Sequence, residues 1–444
     1  MKQFNKLIEF RQTFYDQVLT KSRDAQFELV DALLLSAPIH SFPELSRSPA
    51  FRRQWPSVYT AIEEGRQDQE QLECYLAQQV PNVGFLTFSL DGTVWPHVDA
   101  RTMPDRQFVH SGSDTGLGAP VVVGHPYSIL AWTPERNTSW APPLSIRRVV
   151  SEKTDVEVGV EQVKQFCYYR QAEMLETLHL IAADGKYGNH KFLGALKEEP
   201  CGVLVRMRCD RVLYRAPGEY SGKGRPRVHG ERFAFKEPET WGEPQETIEL
   251  EDEKWGQVRV RRWDYLHAHQ DAGTVFSVLL VEAHLDRENP SKPLWLAYQP
   301  PPGQDPSDQR LVNLWRGYQH RWPVEPGTRF RKQYLAWTLP RFQDADACDR
   351  WTLLVTLAQW QLFLARELVA DRPLPWQRAQ ENPTPERVLQ GLGGLFSQIR
   401  TPAREPKARG KSPGWPKGRV RTRRKRYRVV KKTTKKAKRK RKTA

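Results

Sequence analysis

Cysteine is scarce in this chain of 444 residues: five are present (Cys74, Cys167, Cys201, Cys209 and Cys348), an odd number without a Cys-x-x-Cys pair. That pattern argues against a disulfide framework and against a structural zinc site, and a reducing interior is the expected compartment. Long apolar runs are also missing. The longest, such as the Val-Leu-Leu-Val run at 278–281, are far too short for a bilayer, and the N-terminus lacks the apolar stretch of a signal peptide. A soluble cytoplasmic protein is expected. The third shortage is local: residues 401–444 hold one Glu against 21 Lys and Arg, while residues 1–400 hold 48 basic and 51 acidic groups. The overall charge of +17 therefore describes a nearly neutral body with a polycationic tail. Such blocks stay unfolded and bind polyanions, with nucleic acid favoured over anionic membrane, so nucleoid association is expected.

Apolar spacing divides the rest. Residues 1–80 read as helical, from Phe4, Leu7, Ile8, Phe14 and Val18 onward, with 9 basic and 11 acidic residues and no cationic face. Residues 81–215 alternate as strands at Val83–Leu90, Arg106–His110 and Val121–Trp132. A helix follows over about 158–177, then a strand at Leu178–Ala183, a helix over Asn189–Glu199 and a strand over Cys201–Tyr214. Residues 216–299 are rich in Gly, Pro, Glu and Trp with short alternating runs, which reads as a β-rich insertion. Helices return over 300–372 (Asp308–His320, Val324–Trp337, Asp346–Val369), a Pro-rich linker with a short helix covers 373–403, and 404–444 is the basic tail, expected to be disordered.

The segment Tyr318-x2-Arg321-x3-Glu325-x6-Lys332 sets one carboxylate among three residues able to grip phosphate. A hard oxygen ligand for Mg²⁺ and cationic or phenolic partners for a strand are what metal-dependent cutting of a nucleic-acid backbone requires. Asp91 and Asp184 each close an apolar strand and each precede a Gly. Asp-Gly is also a plain turn signal; the order before the third acidic residue favours a shared site. Pro323, Pro326 and Gly327 disfavour one continuous helix through Glu325, so a new helix is expected to start near Pro323. Lys223 and Arg225, in the basic loop at 221–227, and Arg423, Arg424, Lys425 and Arg426 in the tail are further candidates for DNA contact. Gly112, Gly116 and Gly118 only superficially suggest a phosphate loop, and His97, His110, His125, His267 and His269 lack ligand spacing. Among Trp241, Trp255, Trp263 and Trp295, an exposed ring would suit stacking on an unpaired base.

These motifs resemble those of DDE transposases of the cut-and-paste insertion-sequence type. Ser-Leu-Asp-Gly-Thr at 89–93 is similar to that family's first acidic motif, Ala-Ala-Asp-Gly-Lys-Tyr-Gly-Asn at 182–189 to its second, and the Tyr-Arg-Glu-Lys run to its third. The resemblance spans roughly residues 83–370. It implies an α/β fold with an RNase H-like mixed sheet flanked by helices, in which the first and fourth strands lie side by side. It also implies that Asp91, Asp184 and Glu325 are the catalytic, metal-holding acids for two Mg²⁺ or Mn²⁺ ions, and that Tyr318, Arg321 and Lys332 are phosphate contacts. The implied partners are double-stranded DNA, as element ends and target, and a second copy when bound to ends. A domesticated or inactive relative that binds DNA, or a nucleoid-associated protein acting through its tail, remains the alternative.

Overall fold

The computed structural model describes residues 2–36, 38–110, 121–220, 222, 224–408, 414, 416–420 and 422–431. Gly112, Gly116, Gly118 and Lys223 lie outside them. The N-terminal part comprises α1 (Lys2–Thr13), β1 (Leu19–Lys21), α2 (Arg23–Ser36), α3 (Pro56–Glu63), β2 (Arg66–Gln67) and α4 (Gln69–Gln78). A central run follows: β3 (Leu86–Pro96), β4 (Gln107–His110), β5 (Val121–Trp132), β6 (Pro143–Arg148), α5 (Asp155–Tyr169), α6 (Gln171–Met174), β7 (His179–Ala183), α7 (His190–Leu196), β8 (Gly202–Met207) and β9 (Val212–Tyr214). Next come β10 (Arg232–Ala234), β11 (Glu246–Asp252), β12 (Gly256–Ala268), β13 (Asp271–Ala283) and β14 (Leu294–Gln299), then α8 (Leu311–Gln319), α9 (Val324–Gln333), α10 (Ala345–Ala365) and α11 (Pro385–Phe396).

One mixed sheet organises the molecule, in the order β10-β9-β12-β13-β14-β8-β7-β3-β5-β4, with β11 on β12 and β6 on β5. β7 is an interior strand: all five residues are buried, as a strand covered on both faces requires, and it runs parallel to both β3 and β8. The first and fourth strands of the sequence reading therefore do lie side by side and parallel. The β-rich stretch also joins this sheet, because β14 pairs antiparallel with β8 from Trp295↔Met207 to Gln299↔Val203.

Four local expectations are corrected. β6 was not anticipated; Pro142 and Pro143 mask it, yet it pairs with β5 from Pro143 to Arg148 as an edge strand, with a register shift after Pro143. The helix expected over 158–177 starts at Asp155, where Thr154 and Glu157 form a reciprocal capping box. It stops at Tyr169, because the following Arg170 turns inward to bond the carbonyls of Ala77 and Val80 at 3.0 and 2.9 Å. The strand expected over 201–214 is two strands, separated by a turn at Arg208–Arg211. The tail is not wholly unstructured: Tyr427 and Val430 donate backbone hydrogen bonds to Arg101 and Arg106 beside β4.

α10 carries the helical side of the core. Eighteen of its residues are buried, so nearly its whole circumference must be wrapped. The sheet side meets it at Pro143, whose carbonyl accepts from Trp360 Nε1 at 2.6 Å. The other side meets α1 and α2, where buried Arg11 forks onto Asp31 at 2.7 and 2.8 Å and also reaches Gln361. One continuous apolar cluster runs from Leu7 through the sheet to Ala403. Among the described residues no helix is long and apolar enough to cross a membrane.

Candidate active site

Strand register places the first two acidic residues. Leu90 lies opposite Ala183 on the parallel pair, so Asp91 and Asp184, the next residue on each strand, stand side by side at about one strand spacing, 4.8 Å. Asp91 does not close its strand as expected. β3 continues to Pro96 because β5 is long enough to pair with it throughout, Asp91 facing Ile129 and Pro96 facing Gly124. Asp184 does end β7. Its Oδ1 accepts the Lys186 N–H at 3.0 Å and its carbonyl accepts the Tyr187 N–H at 3.1 Å. Tyr187 then plunges into the core beside Gly159, with its hydroxyl 3.1 Å from Ser128 Oγ. Asn189 caps α7 by accepting from the Lys191 and Phe192 amides. The Asp-Gly-Lys-Tyr-Gly-Asn run is thus a strand-end turn, anchored by its tyrosine, that fixes where Asp184 points.

The third motif reaches the same place from the helices. α8 lies flat on the sheet at Gly317, where a Cβ would stand 2.5 Å from Leu180 Cδ2; only glycine permits that approach. The chain breaks after Gln319 and restarts with Pro323 as the N-cap of α9, so the new helix near Pro323 is present. Pro326 falls in the first turn, where a missing N–H costs nothing. Arg321 lies in the connecting turn rather than on α8, and Glu325 sits in the first turn of α9, where the helix dipole favours its charge. Lys332, seven positions further, returns to the same face about 10 Å along the axis.

Arg321 joins the acidic residues. Its Nη1 lies 3.3 Å from Asp91 Oδ2 and its Nη2 2.9 Å from Glu325 Oε1. Burial raises the Asp91 carboxyl to about 6; Arg321 opposes that shift, and Asp184 and Glu325 reinforce it. Burial works against the charge on Arg321, but Tyr318, Asp91 and Glu325 outweigh it and hold the guanidinium above its usual range. Tyr318, half-buried beneath that guanidinium at 5.8 Å, is raised by burial, with Arg321 and Arg206 pulling the other way. Three carboxylates and one guanidinium thus share one patch of field. Among the described residues no trio of His, Cys, Asp or Glu already stands in caging geometry. The donor set nonetheless fits a hard divalent cation: the oxygens are carboxylate, and Arg321 occupies the cationic position between two of them.

A cleft of about 320 Å³ opens beside Tyr318 and Arg321, lined among others by Arg136, Arg206, Lys254, Trp255, Trp315 and Trp322. Trp322 is exposed, and Lys254 Nζ sits 4.8 Å from its ring. The sequence reading missed Trp322, Lys254 and Arg206; the Trp between Arg321 and Glu325 was the available signal. Of the four tryptophans singled out, Trp263 and Trp295 are buried, Trp241 is half-buried against them, and Trp255 lines the cleft. His97 and His125 are buried, and burial pushes His97 down to about 3. Arg225 is exposed on the loop between β9 and β10, five strand positions from β7 or about 24 Å, and is not brought to the acidic cluster. Arg423, Arg424, Lys425 and Arg426 are exposed near the β4 edge.

A mixed sheet with acidic residues on adjoining parallel strands and a third on a covering helix defines an RNase H-like nuclease fold. A family model described as DDE superfamily endonuclease matches residues 13–268, and the chain belongs to that family. The match contains Asp91 and Asp184 and ends before Glu325. No curated protein matches the chain.

Proposed function

We propose that this endonuclease-family chain is a transposase, cleaving DNA strands at the ends of a mobile segment and joining the freed 3′-hydroxyls to target DNA. The observation that carries the reading is the β3–β7 register, which sets Asp91 beside Asp184 while Arg321 ties Asp91 to Glu325. Asp91, Asp184 and Glu325 would hold two Mg²⁺ or Mn²⁺ ions. When bound, such ions supply an activated water or 3′-hydroxyl and stabilise the leaving oxygen. Arg321, drawn onto a phosphate, would hold the strand against the acidic residues, with Tyr318 and Lys332 on the flanking phosphates. The cleft gives an unpaired base a ring to stack on at Trp322 and cations at Lys254 and Arg206 for its backbone.

The test uses a plasmid carrying the DNA that flanks the gene, Mg²⁺ or Mn²⁺, and the single variants Asp91→Asn, Asp184→Asn and Glu325→Gln. Each should lose cleavage by at least about a thousandfold while keeping duplex affinity within a few-fold. Retained cleavage in any of them removes that residue from the assignment. Pre-cut ends with 3′-hydroxyls separate strand transfer from simple nicking: joined products support the transposase, and nicking alone leaves an endonuclease.

A further inference from the structure

We propose that the edge of β4 is a seat for the chain's own segment Tyr427–Val430, which bridges it at Gln107, and that this seat turns the cations before it into a fixed strip for duplex phosphates. The second half of the proposal rests on the DNA reading above; the first does not. β4 ends the sheet, and an open edge carries unpaired N–H and C=O groups that invite another strand. The tail supplies one. Val430 bridges Gln107 in parallel register, the Val430 N–H donates to the Arg106 carbonyl at 2.7 Å, and the Tyr427 N–H donates to the Arg101 carbonyl at 2.9 Å. A side-chain bond supports the pairing independently. Arg106 is buried, and its Nη2 donates to the Tyr427 carbonyl at 3.1 Å while Nη1 serves His97 and Val98.

Burial follows the same pattern. Val429 and Val430 are half-buried, whereas Arg423, Arg424, Lys425, Arg426 and Arg428 are exposed. The valines hold the edge and the cations face outward. The seat is three strand positions from β3 (β3, β5, β4, tail) and five residues along β5 from the partner of Asp91. Strand spacing and rise put it about 20 Å from Asp91, within one duplex turn of about 34 Å. A duplex seated on the acidic residues can therefore meet the strip.

The experiment uses the full chain. Hydrogen exchange should show the Tyr427 and Val430 amides at least about tenfold slower than those of Arg424 and Lys425. Val430→Pro removes one donor and no charge; it should abolish the protection at Tyr427 and weaken binding of a 30-base-pair duplex of arbitrary sequence about three- to tenfold at 100 mM salt. Phe108 and Lys431 face each other, Lys431 Nζ lying 6.0 Å from the ring. They follow the Gln107–Val430 bridge in parallel register, so the pair Phe108→Cys and Lys431→Cys should form an intrachain disulfide, and the oxidised protein should bind duplex within about twofold of its reduced form. Absent protection, or a disulfide that links two chains, overturns the seat. Unchanged affinity in Val430→Pro, or about tenfold weaker binding in the locked form, overturns the strip. If deleting residues 404–444 leaves duplex affinity unchanged, the DNA reading of the tail fails while the exchange data still judge the seat.

Discussion

At neutral pH the Asp91 carboxyl is ionised in a setting that favours its protonated form. Burial, with Asp184 and Glu325 adding, moves it from 3.8 to about 6. Between those values the folded chain holds a proton that the unfolded chain releases. The group's contribution to stability is therefore full below about pH 3.8 and lost as pH climbs through about 6. Asp91→Asn should stabilise the cation-free protein at pH 7 by about 2 kcal/mol and give no gain at pH 4, which thermal melting at the two pH values would show. The same proton competes with a cation, so half-saturating Mg²⁺ should rise about tenfold per pH unit below 6 and level off above it. The nearness of Asp91 and Glu325 through Arg321 was foreshadowed by local sequence contexts, although Asp91 lies inside β3 rather than at its end and Glu325 opens a helix. Trp322, Lys254 and Arg206 were not foreshadowed, since they meet only through packing between segments far apart in the chain.

The third motif works through the seating of two helices. Gly317 lets α8 touch Leu180, and the break at Pro323 turns α9 so that Glu325 starts a helix beside Arg321. Gly317→Ala should lift α8 from the sheet, cost about 1–3 kcal/mol by overpacking, and slow cleavage while leaving duplex affinity nearly unchanged. Equal losses in cleavage and affinity would show that α8 serves binding instead. The helix restart was readable from Pro323 and Pro326 alone, since proline's effect is local. β3, β4 and β5 were readable as β-like runs and β7 as a short apolar stretch, although the far end of β3 was not. Asp91-Gly92 looks like a turn until the length of β5 is known, and the pairing of β14 with β8 depends on residues some ninety positions apart.

At the scale of the molecule, α10 is clasped between the sheet and the N-terminal helices, and Arg11, Asp31 and Gln361 close that clasp. The near balance of charge in residues 1–80 gave no sign of a DNA-binding module, and did not show that they complete the core. Removing residues 1–80 should therefore strip one side of α10 and leave a chain without a cooperative melting transition, measurable by circular dichroism and solubility. A truncated protein that melts cooperatively would make the N-terminal helices a separable unit.

The guanidinium between Asp91 and Glu325 makes the resting protein its own counterion. A phosphate that draws Arg321 away leaves two carboxylates facing each other uncompensated, and a divalent cation then relieves them. On the proposed reading, arrival of strand and arrival of metal would for that reason be thermodynamically linked, each tightening the other by the same factor. Short duplex DNA should lower the Mg²⁺ concentration needed for half-maximal thermal stabilisation, and Arg321→Ala should bind Mg²⁺ more tightly without DNA and lose most of that dependence. Idle protein would then carry little metal at its acidic residues, and cutting competence would appear only where a strand is already in place.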